Sequence, residues 1–177
     1  MLRRICLALA FLVAAQVLAP AAHAQPSDMA VKAAFLPRFA RYVTWPATAA
    51  PKADVAFALC VIGEDRFGRI LDRASGTQSV DGRRIIVRRL KDAAGVAGCH
   101  VAFVQGSKTH SVEEILAAIG RQPILTVTDA KNAPKRGVVH FAIVDGRVRF
   151  FIDQAAARRR GLDVSSRLLA LAVGVQE

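Results

Sequence analysis

Three short apolar runs, at residues 54–62, 100–104 and 123–128, constrain this chain more than any other feature. Each is strand-long, is bounded by charged, glycine or turn residues, and reads as a buried strand by its length and apolar content. Such strands are buried on both faces, which requires helices above and below the sheet. The intervening sequence supplies them. Phe67, Ile70 and Leu71 fall at helical spacing within 64–74. Ser111-Val112-Glu113-Glu114 is a capping box that opens a helix through Ile119. A further strand at 84–89 follows the turn residues Asp81-Gly82, with Ile85 and Val87 on one face and Ile86 on the other. Residues 138–144 and 147–152 flank Asp145-Gly146, the strongest hairpin signal in the chain. The pattern predicts an α/β fold: a mostly parallel sheet with helices on both faces and a late antiparallel hairpin, in a single domain over 25–177.

The two ends of that domain read as helical. Val31, Phe35, Phe39 and Val43 recur every four residues, one stripe of a helix over 27–44 capped by Ser27 or Asp28. Pro37 lies in its middle, where a proline costs about 3 kcal/mol, so the helix should kink or split there before Trp45-Pro46 ends it. Residues 154–160 form a helix pattern stopped by Gly161, and Ser165 or Asp163 can cap a final helix over 167–173.

Residues 1–24 are an address. Arg3 and Arg4, an apolar run at 5–18 and Ala22-His23-Ala24 have the layout of a secretory signal peptide cleaved after Ala24. The alternative, a membrane anchor, needs roughly 20 apolar residues, and this run is shorter. Loss of Arg3 and Arg4 takes the formal charge from +11 to +9, and the cysteines that remain are Cys60 and Cys99. In an oxidising compartment an even pair reads as one disulfide. Two buried, unpaired thiols are the alternative, because bridging needs the Cα atoms within roughly 7 Å.

No motif of catalytic or ligand-holding residues stands out in the sequence. His100, His110 and His140 show no metal-ligand spacing, and no C-x-x-C, H-E-x-x-H or G-x-S-x-G sequence occurs. No catalytic residue, metal site or cofactor is expected. Gly63-Glu64-Asp65-Arg66-Phe67-Gly68 matches no phosphate loop, and its acids would repel an anion, so it reads as a tight strand-to-helix turn. Of the 25 basic residues 19 are arginine, clustered at Arg83-Arg84, Arg88-Arg89, Arg147/Arg149 and Arg158-Arg159-Arg160. Export argues against nucleic acid as their partner. An acidic protein surface or anionic lipid suits that charge, and solvated faces are the bland alternative.

Seven stretches, taken in order, resemble the YfiR family of periplasmic regulators. They are Val31-Lys32-Ala33-Ala34-Phe35-Leu36, Phe39-Ala40-Arg41-Tyr42-Val43-Thr44-Trp45-Pro46 and Cys60-Val61-Ile62-Gly63. Then come Cys99-His100-Val101-Ala102-Phe103, Ile124-Leu125-Thr126-Val127-Thr128-Asp129 and Val148-Arg149-Phe150-Phe151-Ile152-Asp153. The seventh runs from Ala155-Ala156-Ala157 through Gly161-Leu162 to Ser165-Ser166-Arg167-Leu168-Leu169. The resemblance implies a periplasmic, non-enzymatic protein that restrains an inner-membrane diguanylate cyclase by binding its periplasmic region, so lowering cyclic di-GMP and biofilm formation. It also implies a homodimer that an outer-membrane lipoprotein can sequester. Cys60 and Cys99 match a cysteine pair of the family, whose second pair is absent here. Pro37-Arg38 replaces the family's usual aromatic-polar pair.

Read from the residues alone, a signal peptide, a complete domain and no catalytic constellation favour a binding protein. Its partner surface is expected at 162–173 and the neighbouring arginines, with Arg158, Arg159, Leu168 and Leu169 as contacts; a final helix packed on the sheet is the alternative. The second reading is a periplasmic small-ligand sensor, with a pocket at the carboxyl ends of the parallel strands near 63–67 and 105–108.

Overall fold

The computed structural model describes residues 26–52, 55–129 and 135–177. The expected signal peptide, its cleavage point and Asp54 lie outside the described residues. The elements are α1 (Asp28–Phe39), β1 (Val43–Thr44), β2 (Phe57–Ile62), α2 (Arg69–Gly76), β3 (Ser79–Val80), β4 (Arg83–Leu90), β5 (Val101–Val104) and α3 (Val112–Ile119). They continue with β6 (Leu125–Thr128), β7 (Val139–Val144), β8 (Arg147–Asp153), α4 (Gln154–Arg158), β9 (Asp163–Val164), α5 (Ser166–Leu169) and β10 (Gly174–Gln176). Short 3-10 turns occupy Ala40–Tyr42 and Ala93–Gly95.

Among the described residues, eight strands form one sheet in the order β10-β8-β7-β6-β5-β2-β4-β3, and β1 pairs separately with β9. The sheet is mixed rather than mostly parallel. Strands β4, β2, β5, β6 and β7 run parallel, but β7–β8 and β3–β4 are antiparallel. The reason lies in two-residue turns. Asp81-Gly82 and Asp145-Gly146 all have positive φ, from 48° to 75°, as the tight hairpin turn requires. An Asp-Gly pair thus sets an antiparallel pairing at each flank of a parallel centre.

The apolar runs are buried as expected, and side-chain alternation sends them to opposite cores. Phe57, Leu59 and Val61 of β2, with Val101 and Phe103 of β5, pack towards α1 and α2. Cys60 and Ile62, with Ala102 and Val104, pack against Val112, Ile115, Leu116 and Ile119 of α3. Helices therefore cover both faces. Cys60 and Cys99 form a disulfide with Cα atoms 5.9 Å apart, tying β2 to the turn before β5 inside the α3-side core.

Three helices differ from their sequence patterns. In α1, Ser27 caps the start by accepting from the Ala30 amide at 3.2 Å, but the buried face is Ala33, Leu36 and Phe39. Val31 and Phe35 lie on its flank, Phe35 stacking on Phe39 with centroids 5.7 Å apart. Pro37 cannot donate to the turn before it, the chain tightens into the 3-10 turn, and Val43 leaves the helix to pair with Val164. In α2 the start moves to Arg69, because Asp65 folds the preceding turn by accepting from the Phe67 and Gly68 amides at 2.8 and 3.2 Å. The expected terminal helix is a single turn. Ser165 caps α5, and then Val173 donates to the Phe150 carbonyl at 3.0 Å and the chain joins the sheet as β10, parallel to β8.

Candidate functional site

The histidines hold the fold rather than a ligand set. His100 is buried, its Nδ1 accepts from the Ala58 amide at 3.0 Å, and its ring stacks on Phe57 at 4.6 Å. His140 is buried with Nδ1 2.9 Å from Thr128 Oγ1. His110 is exposed beside Thr109. Burial lowers the pKa of His100, and Arg83 adds to the depression. Burial, then Arg136 and Lys32, push His140 to about 4 against the pull of Asp129, so both rings are neutral at physiological pH. Among the described residues no three His, Cys, Asp or Glu side chains gather as a metal group, and no helix is long and apolar enough to cross a membrane.

The two segments expected to form a ligand pocket do meet. The parallel register of Ile62 with Val104 brings Gly63 and Glu64 beside Ser107 and Lys108, around a hollow of about 390 Å³ that Lys91 and Thr109 complete. The crossing is close. Gly63 has φ +91°, and a Cβ there would lie 1.9 Å from the Gln105 carbonyl oxygen. The hollow has charged walls and no large apolar side chain, unlike the usual small-molecule pocket.

Arginine clusters that look alike in sequence divide into two kinds. Arg88 donates to the Gly95 and Ala97 carbonyls, each at 2.9 Å, and closes the loop that carries Cys99. Arg89 bonds Asp65 through Nε at 2.6 Å and Asp72 through both terminal nitrogens. Burial raises the Asp65 pKa, but the Arg89 bond and the Phe67 and Gly68 amides outweigh it and hold the carboxyl below its usual range. Arg88, Arg89 and Asp65 are thus committed to the fold, while Glu64 stays exposed at the hollow. Arg147, Arg149, Arg158 and Arg159 remain exposed.

The four residues expected to meet a partner are not brought onto one surface. Arg158 and Arg159 are exposed on the last turn of α4, with Arg159 3.9 Å from Asp153. Leu168 is buried in the main core, and Leu169 packs half-buried against it. The exposed apolar side chains of this region come after α5: Leu171, Val173 and Val175, along an edge of the sheet. The Val-Gly-Val-Gln ending was the available signal for that strand, and an extended rather than helical reading of it exposes these residues.

The family described as YfiR/HmsC-like matches residues 29–173, and no curated protein sequence matches the chain. The matched span runs from the first turn of α1 to the residue before β10, taking in both cores and the disulfide. With nearly the whole folded domain inside that match, the chain belongs to the YfiR/HmsC-like family.

Proposed function

We propose that this chain is a periplasmic, non-enzymatic regulator that binds the periplasmic region of an inner-membrane diguanylate cyclase and restrains it. Cytoplasmic cyclic di-GMP and biofilm formation are then low while it is bound. The observation that carries the reading is the family match over 29–173. Two features of the molecule support a binding role. The edge strand β10 follows exposed Leu171 and Val173 and carries exposed Val175, and the nearby Arg158 and Arg159 offer positive charge to an acidic surface. In this reading the leader is removed after Ala24, the mature chain pairs with a second copy, and an outer-membrane lipoprotein competes for it.

The test is cytoplasmic cyclic di-GMP in a strain lacking the gene, complemented by the exported chain or by a leaderless one. A rise that only the exported form reverses is the expected result. Unchanged cyclic di-GMP in the deletion strain, with the cyclase shown to be expressed, overturns the reading.

A further inference from the structure

A second cleft, of about 390 Å³, opens where the carboxyl ends of β8 and β10 meet the amino end of β7. Its walls are basic: Lys135, Arg136, Arg159 and Arg160 line it with one acid, Asp153. The acid is already committed. Asp153 Oδ1 accepts from the Ala156 amide at 2.6 Å as the cap of α4, and Oδ2 lies 3.9 Å from Arg159. Lys135 is paired with Glu113 at 3.2 Å. Among the described residues Arg136 and Arg160 make no ion pair.

Arg160 is the most demanding of these. Its Nη1 donates to the Ala156 carbonyl at 3.2 Å, while Nε is buried without a partner. A buried charged donor left unpaired is costly, and native structures rarely keep one without a water, an ion or a ligand. Burial, and then Arg159, disfavour the Arg160 charge, with Asp153 only partly offsetting them. Arg136 is held in place by its neighbour. Gly137 donates to Thr128 Oγ1 at 3.0 Å, and a Cβ on it would lie 2.6 Å from the Thr126 carbonyl, so the backbone is seated directly on β6.

We infer that this cleft binds a phosphate monoester through Arg136, Arg159 and Arg160. With Lys135 neutralised by Glu113, three guanidinium groups against Asp153 leave two positive charges. A phosphate monoester carries about two negative charges and offers three acceptor oxygens to planar donor forks, whereas one carboxylate would leave an arginine uncompensated. The phosphate can arrive on a soluble ester or on a lipid headgroup such as phosphatidic acid; the recognition chemistry is the same. The inference concerns ligand binding alone and stands apart from any effect on a cyclase.

The test is calorimetric titration of the mature chain with glycerol 3-phosphate and with inorganic phosphate at fixed ionic strength. Flotation with vesicles of phosphatidic acid in phosphatidylcholine, against phosphatidylcholine alone, runs beside it. Saturable binding of the soluble phosphates is expected, weakened at least about tenfold by Arg160→Gln or Arg136→Gln and unchanged by Arg84→Gln on the far flank. Binding confined to phosphatidic acid vesicles, with the same arginine dependence, identifies the lipid as the source. No binding in either arm overturns the inference, as does binding that both cleft variants leave intact. Arg136 is exposed, so its variant keeps the fold where Arg160→Gln disturbs it.

Discussion

Removing the Cys60–Cys99 bridge should cost this domain about 4 kcal/mol of stability. The two cysteines are 39 residues apart in sequence. Closing a loop of that length removes about 13 cal/mol/K from the unfolded chain in the loop-entropy treatment, or about 4 kcal/mol at 25 °C. Packing adds a separate contribution, because Cys60 and Cys99 are both buried against the α3 side of the sheet. Two samples separate these effects. Wild-type protein reduced while unfolded and then refolded keeps both sulfur atoms and loses only the cross-link. Cys60→Ala/Cys99→Ala loses the cross-link and the sulfur packing together. Urea unfolding of oxidised, reduced and double-variant protein should place the reduced form about 4 kcal/mol below the oxidised one, with the variant lower still. Thermal midpoints should fall by about 8–16 °C at 2–4 °C per kcal/mol. A whole domain has only about 5–15 kcal/mol, so the variant would sit close to its folding threshold. If the reduced protein, with two free thiols counted, unfolds at the same urea concentration as the oxidised one, the loop-entropy reasoning is wrong for this chain.

Two further outcomes follow from single residues. Gly63→Ala places a Cβ 1.9 Å from the Gln105 carbonyl at φ +91°, and should cost about 3 kcal/mol or more. Gly146→Ala, at φ +69° in the hairpin turn with no atom within 4 Å of its Cβ, should cost about 1 kcal/mol; equal losses in urea would refute the close-approach argument. His140 titrates at about 4 in the folded protein, below the roughly 6.5 of an unfolded chain, so the unfolded state takes up the proton first. Its contribution is complete above pH about 6.5 and is lost as the pH falls towards 4, by up to about 3 kcal/mol. His140→Gln should flatten that dependence, and unfolding midpoints from pH 7 to 4 that keep the wild-type slope would rule it out.

How much of the fold the sequence carries depends on whether a segment's neighbours are local. The strands β2 and β5 were readable because burial on both faces leaves a continuous apolar run, whatever lies beside it, and β6, Leu-Thr-Val-Thr, was readable from its length and its β-branched residues. The capping box of α3 and both Asp-Gly turns were readable because their partners lie within three residues. The expected antiparallel hairpin followed from one of those turns. The other, at Asp81-Gly82, should equally have made the sheet mixed. Elements decided at long range escaped. Ser165 does cap a helix, yet the pairing of Val173 with Phe150 ends it after one turn. Gly174 then lies so near Phe151 that a Cβ would sit 3.0 Å from its ring, a contact no local pattern announces.

The cleft shows the same division more sharply. Its hairpin half was derivable: Asp145-Gly146 fixes the register that sets Val139 opposite Ile152, and therefore places Arg136 and Gly137 near Asp153 and the turn of arginines that follows. Its other half was not, because Gln176 reaches the cleft only through the parallel pairing that sets it against Asp153. Charge was harder still. Arg88-Arg89 and Arg159-Arg160 are equivalent as sequence, but the first pair finds two acids and three carbonyls across the fold. The second finds an aspartate that already caps α4 and one carbonyl, and it leaves Arg160 Nε buried without a partner. Composition therefore gives the amount of positive charge, and topology decides which part of it is still available for a ligand.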